Sequence, residues 1–184
     1  MNIQRQSGFT LIEAMITLAV TLGLISVIMV YAGSTNLSRQ TYGAVANVQS
    51  IVSATNKIFG PAQKTAGAPY AGLTTSLISA QLGPDMSVAG GSIRNTYGGA
   101  VNIYVGNTYG TAGDSYYITF SGVPAKACVD FVGKVVGMSP QVAVGVTPLI
   151  VLALGAAQPT GAQIATACST VAPSGTTNVY ITEF

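Results

Sequence analysis

Histidine and tryptophan are absent from this 184-residue sequence, and charge is scarce, with Lys and Arg numbering 7 and Asp and Glu only 5. Without histidine there is no Ser-His-Asp or Cys-His relay and no histidine-ligated metal centre. The acids are Glu13, Asp85, Asp114, Asp130 and Glu183. Glu13 lies in an apolar run, Asp130 sits four residues from both Lys126 and Lys134 as in a helix-surface ladder, and Asp114 falls in a turn. Asp85 with Asp114 is the one carboxylate pair left open for acid–base work, and the chain reads as a non-enzyme with no cofactor and no metal. Gly90-Gly91 and Gly98-Gly99 lack the Lys-Ser/Thr of a phosphate loop and read as turns. A net charge of +2 is too small for a phosphate-backbone binder, and no specific nucleic acid is expected. Single-strand capture usually needs a basic groove with aromatics, and the 9 tyrosines are the only feature in its favour.

What is present is apolar: 49% of residues are hydrophobic against 7% charged, and Gly numbers 22. A surface of this kind is wetted by Ser, Thr, Asn and backbone, which suits a protein packed among copies of itself. The length accommodates one membrane segment and one domain of about 120 to 150 residues. Cys128 and Cys168 lie far apart behind an export-type start, so a single disulfide in an oxidising compartment is the simplest reading. Closing a loop of about 40 residues contributes on the order of 4 kcal/mol in the chain-entropy model. Two buried free thiols are the alternative.

The rest of the chain is organised around Gly8-Phe9-Thr10-Leu11-Ile12-Glu13, which opens an apolar run continuing to Tyr31. From Phe9 to Tyr31 is about 23 residues, or about 34 Å of helix, enough to cross a bilayer core. A lone carboxylate inside such a run is costly in lipid and is usually retained for a partner. The candidate partner of Glu13 is the α-amino group exposed by a cut between Gly8 and Phe9. A secretory signal peptide or plain anchor shares the order of charged start and apolar core. A signal peptide's core, however, is only about 7 to 15 residues and ends at a small-residue site.

This motif, with its short polar leader and the long apolar run behind it, resembles the cleavage and assembly signal of type IV prepilins. The resemblance implies a membrane peptidase that cuts after Gly8, N-methylation of Phe9 and an assembly role for Glu13. It implies as partners other pilin subunits in a homopolymer, the prepilin peptidase and a pilus assembly platform. The precursor is then expected in a bacterial inner membrane, with the positive leader cytoplasmic and the rest outside, and the mature protein in an extracellular pilus. A major type IVb pilin ranks first among the readings, ahead of a minor pilin or type II secretion pseudopilin, and of an anchored monomeric adhesin or binding subunit. Attachment, aggregation, motility and conjugation would all use such a filament.

The expected fold is α+β: a long N-terminal helix, half membrane-spanning and half amphipathic, packed on an antiparallel sheet, a pilin fold with a C-terminal disulfide-bounded region. Residues 1–8 form the leader, 9–31 the transmembrane and assembly helix, 32–60 its amphipathic half and 61–184 the head. Leu37, Ala44, Val48, Ile51, Val52 and Phe59 recur at helical spacing up to the Gly60-Pro61 stop. The first half has no proline, leaving any bend to Gly23 and Gly33, while Thr17, Thr21 and Ser26 are placed to bond back to helix carbonyls. Residues 74–82 read as a short helix capped by Thr74 or Thr75. Alternation predicts strands at 101–105 and 116–120, joined by a Gly-rich hairpin loop. The Tyr97-Gly98-Gly99 turn before them also resembles a feature of type IVb pilins. Pro124 is expected in the first turn of a helix ended by Gly137, with Cys128, Phe131, Val132 and Val135 on its inner face. Short strands at 142–146 and 149–154, a helix or turn at 160–169 carrying Cys168, and a terminal strand at 179–184 complete the reading. A cysteine-bearing helix followed by a second cysteine and a last strand is similar to the disulfide-bounded region of type IVb pilins.

Overall fold

A computed structural model describes residues 10–60, 67–84, 86–88, 90–108, 110–145, 149–171 and 175–184. The chain divides into two units, Met1–Ser38 and Arg39–Phe184, and one helix, α1 (Leu11–Ile58), runs through both.

In the first unit, Leu11 to Met29 is a helical stretch of 19 residues, long and apolar enough to cross a membrane. At 1.5 Å per residue it covers about 28 Å, close to the thickness of a hydrocarbon core. Its few polar side chains are satisfied locally, as the sequence suggests. Thr17 Oγ1 donates to the carbonyls of Glu13 and Ala14, both at 3.0 Å. Thr21 Oγ1 donates to Thr17 O at 2.9 Å and Ser26 Oγ to Leu22 O at 2.8 Å. Bonded in this way, hydroxyls present little unsatisfied polarity to lipid.

In the second unit, α1 buries Thr41, Ala44, Val48, Ile51, Ala54 and Thr55, and Phe59 just past its end is buried as well. Apart from the adjacent pair Ala54 and Thr55, steps of three and four draw one stripe along this side. Val52, expected in that stripe, is half-buried. Thr55 takes the inner position instead, its hydroxyl donating to Ile51 O at 2.9 Å.

The sheet partner of this stripe is built from seven strands: β1 (Ser87–Val88), β2 (Ser92–Arg94), β3 (Ala100–Gly106), β4 (Ser115–Pro124), β5 (Gln141–Val144), β6 (Leu149–Leu152) and β7 (Thr176–Glu183). Their spatial order is β1-β2-β3-β4-β7-β5-β6, so the last strand in sequence lies in the middle. Every pairing is antiparallel. Val101 faces Phe120 and Ile103 faces Ile118, while Ile181 sits between Ile118 and Val142. Because side chains alternate along a strand, these residues line one face, and all are buried there. Rings tie that face to α1: Phe59 lies 5.9 Å from Tyr70, which lies 4.8 Å from Tyr116. On the opposite face the cross-strand pair Tyr104 and Tyr117 stacks at 5.3 Å.

The helices of the head are short. α2 (Thr75–Ser79) is capped by Thr74, whose hydroxyl accepts from Leu77 N at 3.3 Å. Thr75 Oγ1 accepts from Ile103 N at 2.9 Å, so its side chain occupies a place on β3 that a longer β2 would fill. α3 (Ala125–Val135) buries Cys128, Phe131, Val132 and Val135, the face read from the sequence, with Phe131 packed 5.2 Å from Phe120. α4 (Gly161–Val171) is a full helix. Thr160 N donates to Gln163 Oε1 at 2.7 Å and Gln163 N to Thr160 Oγ1 at 3.4 Å, a reciprocal capping box. A disulfide joins Cys128 of α3 to Cys168 of α4, with Cα atoms 5.9 Å apart.

Three details depart from expectation. Pro124 is the N-cap of α3 and the last residue of β4, not a first-turn residue, with φ −60° and ψ 140°. A strand passes directly into a helix there, and Ala125 N finds Gly175 O at 2.8 Å in place of a side-chain cap. The helix expected at 74–82 closes early, at Ser79. The β1–β2 hairpin was not read, because strands of two and three residues carry no alternation.

Candidate functional site

Of the residues singled out at the N-terminus, Gly8 and Phe9 lie outside the described residues. Glu13 is in the first turn of α1, exposed. Thr10 O accepts from both Glu13 N and Ala14 N at 3.1 Å, which places Thr10 at the cap and Glu13 three residues on. A carboxylate there interacts favourably with the positive end of the helix dipole. The same geometry leaves it outward-facing on an otherwise apolar cylinder, flanked by exposed Ile12, Ile16 and Leu11.

The head holds nothing that resembles a catalytic centre among its described residues. Asp114 is taken up by its turn, where Oδ1 accepts from Thr108 N and Ser115 Oγ at 2.8 Å and Oδ2 from Thr111 N at 3.1 Å. Asp130 pairs with Lys134 at 2.7 Å, as the four-residue spacing suggested. That bond is the main reason the Lys134 ammonium holds its proton above the usual lysine range. Glu183 accepts from Ser139 Oγ at 2.5 Å. Asp85 lies outside the described residues. No group of three or more His, Cys, Asp or Glu is placed to hold a metal among the described residues. Two open grooves flank the outward edge of α1, of about 660 Å³ beside Lys57 and Met86 and about 410 Å³ beside Met138 and Glu183. Gln49 and Ser53 line both.

One cluster that sequence reasoning did not find fixes the head to the start of its helix. Asn95 is buried, and its Oδ1 accepts from Tyr97 N at 2.9 Å and Gly99 N at 3.0 Å while Nδ2 donates to Ser121 O at 2.8 Å. The turn thus formed reaches α1: Thr96 Oγ1 donates to Gln40 O at 2.6 Å and Tyr97 OH to Thr41 Oγ1 at 3.1 Å. The approach is close enough that a Cβ on Gly43 would fall 2.7 Å from Thr96 Cγ2. Burial raises the Tyr97 phenol above its usual range, an effect that the Thr41 bond opposes and the charge of Asp130 adds to. The signal available in the sequence was Gly98-Gly99; the role of Asn95 depends on a carbonyl 26 residues away.

Comparison with known proteins bears on these features. The family described as PilS N terminal matches residues 38–183, and the prokaryotic N-terminal methylation motif matches residues 3–31. The major structural subunit of bundle-forming pilus from Escherichia coli O127:H6 (strain E2348/69 / EPEC) is 28% identical over 144 residues, covering 77% of this chain and 71% of the relative. The protein of the same description from Escherichia coli O111:H- matches to the same extent. Among solved structures, TcpA, a type IV pilin from Vibrio cholerae El Tor biotype, superposes with a TM-score of 0.59 at 15% identity, covering 79% of this chain and 99% of that one. The type IV b pilin from Salmonella typhi gives 0.53 at 20% identity, with 75% and 95% covered. The fold, a helix packed on an antiparallel sheet, is shared with these two structures. With most of its length matched by one family and its N-terminus by the methylation motif, the chain belongs to the PilS N terminal family and is a type IV pilin.

Proposed function

We propose that the chain is made as a membrane-anchored precursor, is cut between Gly8 and Phe9 by a prepilin peptidase, and polymerises on an assembly platform as the major subunit of an extracellular pilus. The observation that carries this reading is the exposed carboxylate of Glu13 in the first turn of a helix that is otherwise suited to hydrocarbon. Before assembly the stretch Leu11–Met29 holds the subunit in the inner membrane. During assembly such helices pass from lipid into a bundle of their own kind, and apolar surface stays covered throughout. The cost that remains is the buried charge. The new α-amino group of Phe9 on a neighbouring subunit neutralises Glu13 and sets axial register, the best-attested use of a buried polar pair. N-methylation of that amine retains its positive charge.

Two substitutions test this. Glu13→Ala leaves the monomer folded and anchored but abolishes filaments in sheared surface material, and normal filaments from that variant would overturn the pairing. Gly8→Val leaves the uncut precursor in the membrane, visible as a heavier species by mass spectrometry. Sequencing filament protein should return Phe9 as its first residue, and this chain should dominate the sheared fraction as a major subunit does.

A further inference from the structure

We propose that the end of the head where the chain enters it is a docking surface for anionic phospholipid headgroups, which holds the unassembled subunit down on the outer face of its membrane. The inference rests on the reading that Leu11–Met29 spans the bilayer with the head outside. Among the described residues, every cation of the head except Lys57 gathers at one end. Arg39 immediately precedes Gln40, Thr41 and Tyr42, where α1 joins the head. Arg94 ends β2 just before the turn held against that same helical segment, its Nη1 donating to Gly98 O at 3.2 Å while Thr96 bonds Gln40 O. Lys134 Nζ lies 4.8 Å from the centre of the Tyr42 ring.

The course of α3 adds a fourth cation. Lys134 is beside Tyr42, and just beyond it Met138 Sδ accepts from Gln49 Nε2 at 3.5 Å, so this part of the chain travels alongside α1 in the same direction. Lys126, exposed and about two turns before Lys134, therefore lies back toward the end where the chain enters. Four cations gather there against the one carboxylate of Asp130. The far end holds Lys57, in the last turn of α1, with two acids: Glu183, which lines a groove with Asn56, and Asp114, next to Gly113, whose carbonyl accepts from Tyr70 N at 2.9 Å. Tyr70 in turn packs on Phe59, at the other end of the helix.

Chain length bounds the distance. Met29 and Arg39 are ten positions apart in sequence, at most about 35 Å of chain, so the head cannot leave the neighbourhood of the headgroups, whose attraction acts within roughly 8 Å. Each cation brought to an anionic leaflet strengthens association about fivefold. The acidic end of a second copy is the competing occupant, but it meets this surface only at one particular stagger. The tether keeps the membrane within reach for as long as the subunit is unassembled.

The absence of tryptophan offers a clean probe. Val129, partly exposed on α3 between Lys126 and Asp130, is replaced in the full-length chain as Val129→Trp. The protein is placed in phosphatidylcholine vesicles, or in vesicles with about a third phosphatidylglycerol, both carrying a trace of dansyl-headgroup lipid, and recovered by flotation. Docking predicts at least about twofold stronger transfer from tryptophan to dansyl in the anionic vesicles, reduced to the neutral level by high salt. Combining Arg39→Gln, Arg94→Gln and Lys126→Gln abolishes the difference with flotation unchanged. Equal transfer in the two vesicle types, or a difference indifferent to salt, overturns the proposal. So does a triple variant that keeps its lipid-dependent transfer yet no longer polymerises, which would assign these charges to contacts between copies. Protein that floats with neither vesicle overturns the spanning reading itself, and the docking with it. The salt titration poses the question with every cation in place, so a poorly folded variant does not blunt it.

Discussion

Asn95 shows how much one side chain of this head carries. Truncation as Asn95→Ala orphans the amides of Tyr97 and Gly99 and the carbonyl of Ser121, and each buried group left unmade costs about 1 to 3 kcal/mol. The expected loss, about 3 kcal/mol by chemical denaturation, should come with loosening of the turn against Gln40 and Thr41. Gly99→Ala is expected to do at least as much harm, since its Cβ would lie 1.8 Å from Ser121 O. Tyr116 makes a prediction in pH. Burial lifts its phenol well above the usual 10.0, Glu183 and Tyr70 add to the shift, and a hydrogen bond with Thr55 opposes it. The folded form thus keeps this proton to higher pH than the unfolded chain does. The resulting stability is whole below about pH 10 and is lost as pH rises through the folded value. Melting temperature should fall with pH above about 10, and Tyr116→Phe should flatten that slope.

At the scale of elements, legibility followed period and punctuation. The helix to Phe59, the hydrophobic faces of β3 and β4 and the inward face of α3 were readable because their apolar spacing extends over several turns or pairs. The N-cap place of Pro124 was not, because it depends on β4 running into α3 without a loop and on a carbonyl of distant Gly175. Thr41 and Thr55 were missed for a related reason: each is polar by composition and inward by position. The disulfide between α3 and α4 closes a separation of 40 residues. Replacing both cysteines, as Cys128→Ala with Cys168→Ala, is expected to cost about 3 to 4 kcal/mol and to lower the melting temperature by about 10 °C. Thr160→Ala breaks only the cap of α4 and should cost about 1 kcal/mol.

For the whole molecule, the N-terminal motif made the family legible from a small part of the chain, because a carboxylate in a membrane-length run has few other uses. Glu13 and the cations around Arg39 act at different stages in this account, the first in the polymer and the second before it. Separate phenotypes should follow: Glu13→Ala stops growth with the head still docked, whereas Gln substitutions at Arg39, Arg94 and Lys126 leave polymerisation competent and change only the lipid dependence of the precursor. Strand order was the least legible property, since nothing local in Thr176–Glu183 announces that it pairs with both β4 and β5. That arrangement makes the sheet depend on one strand. Its two halves, β1 to β4 and β5 with β6, meet only through β7, so the head stays open wherever that strand is missing. Deleting Thr176–Glu183 should yield a protease-sensitive chain rather than a slightly smaller head.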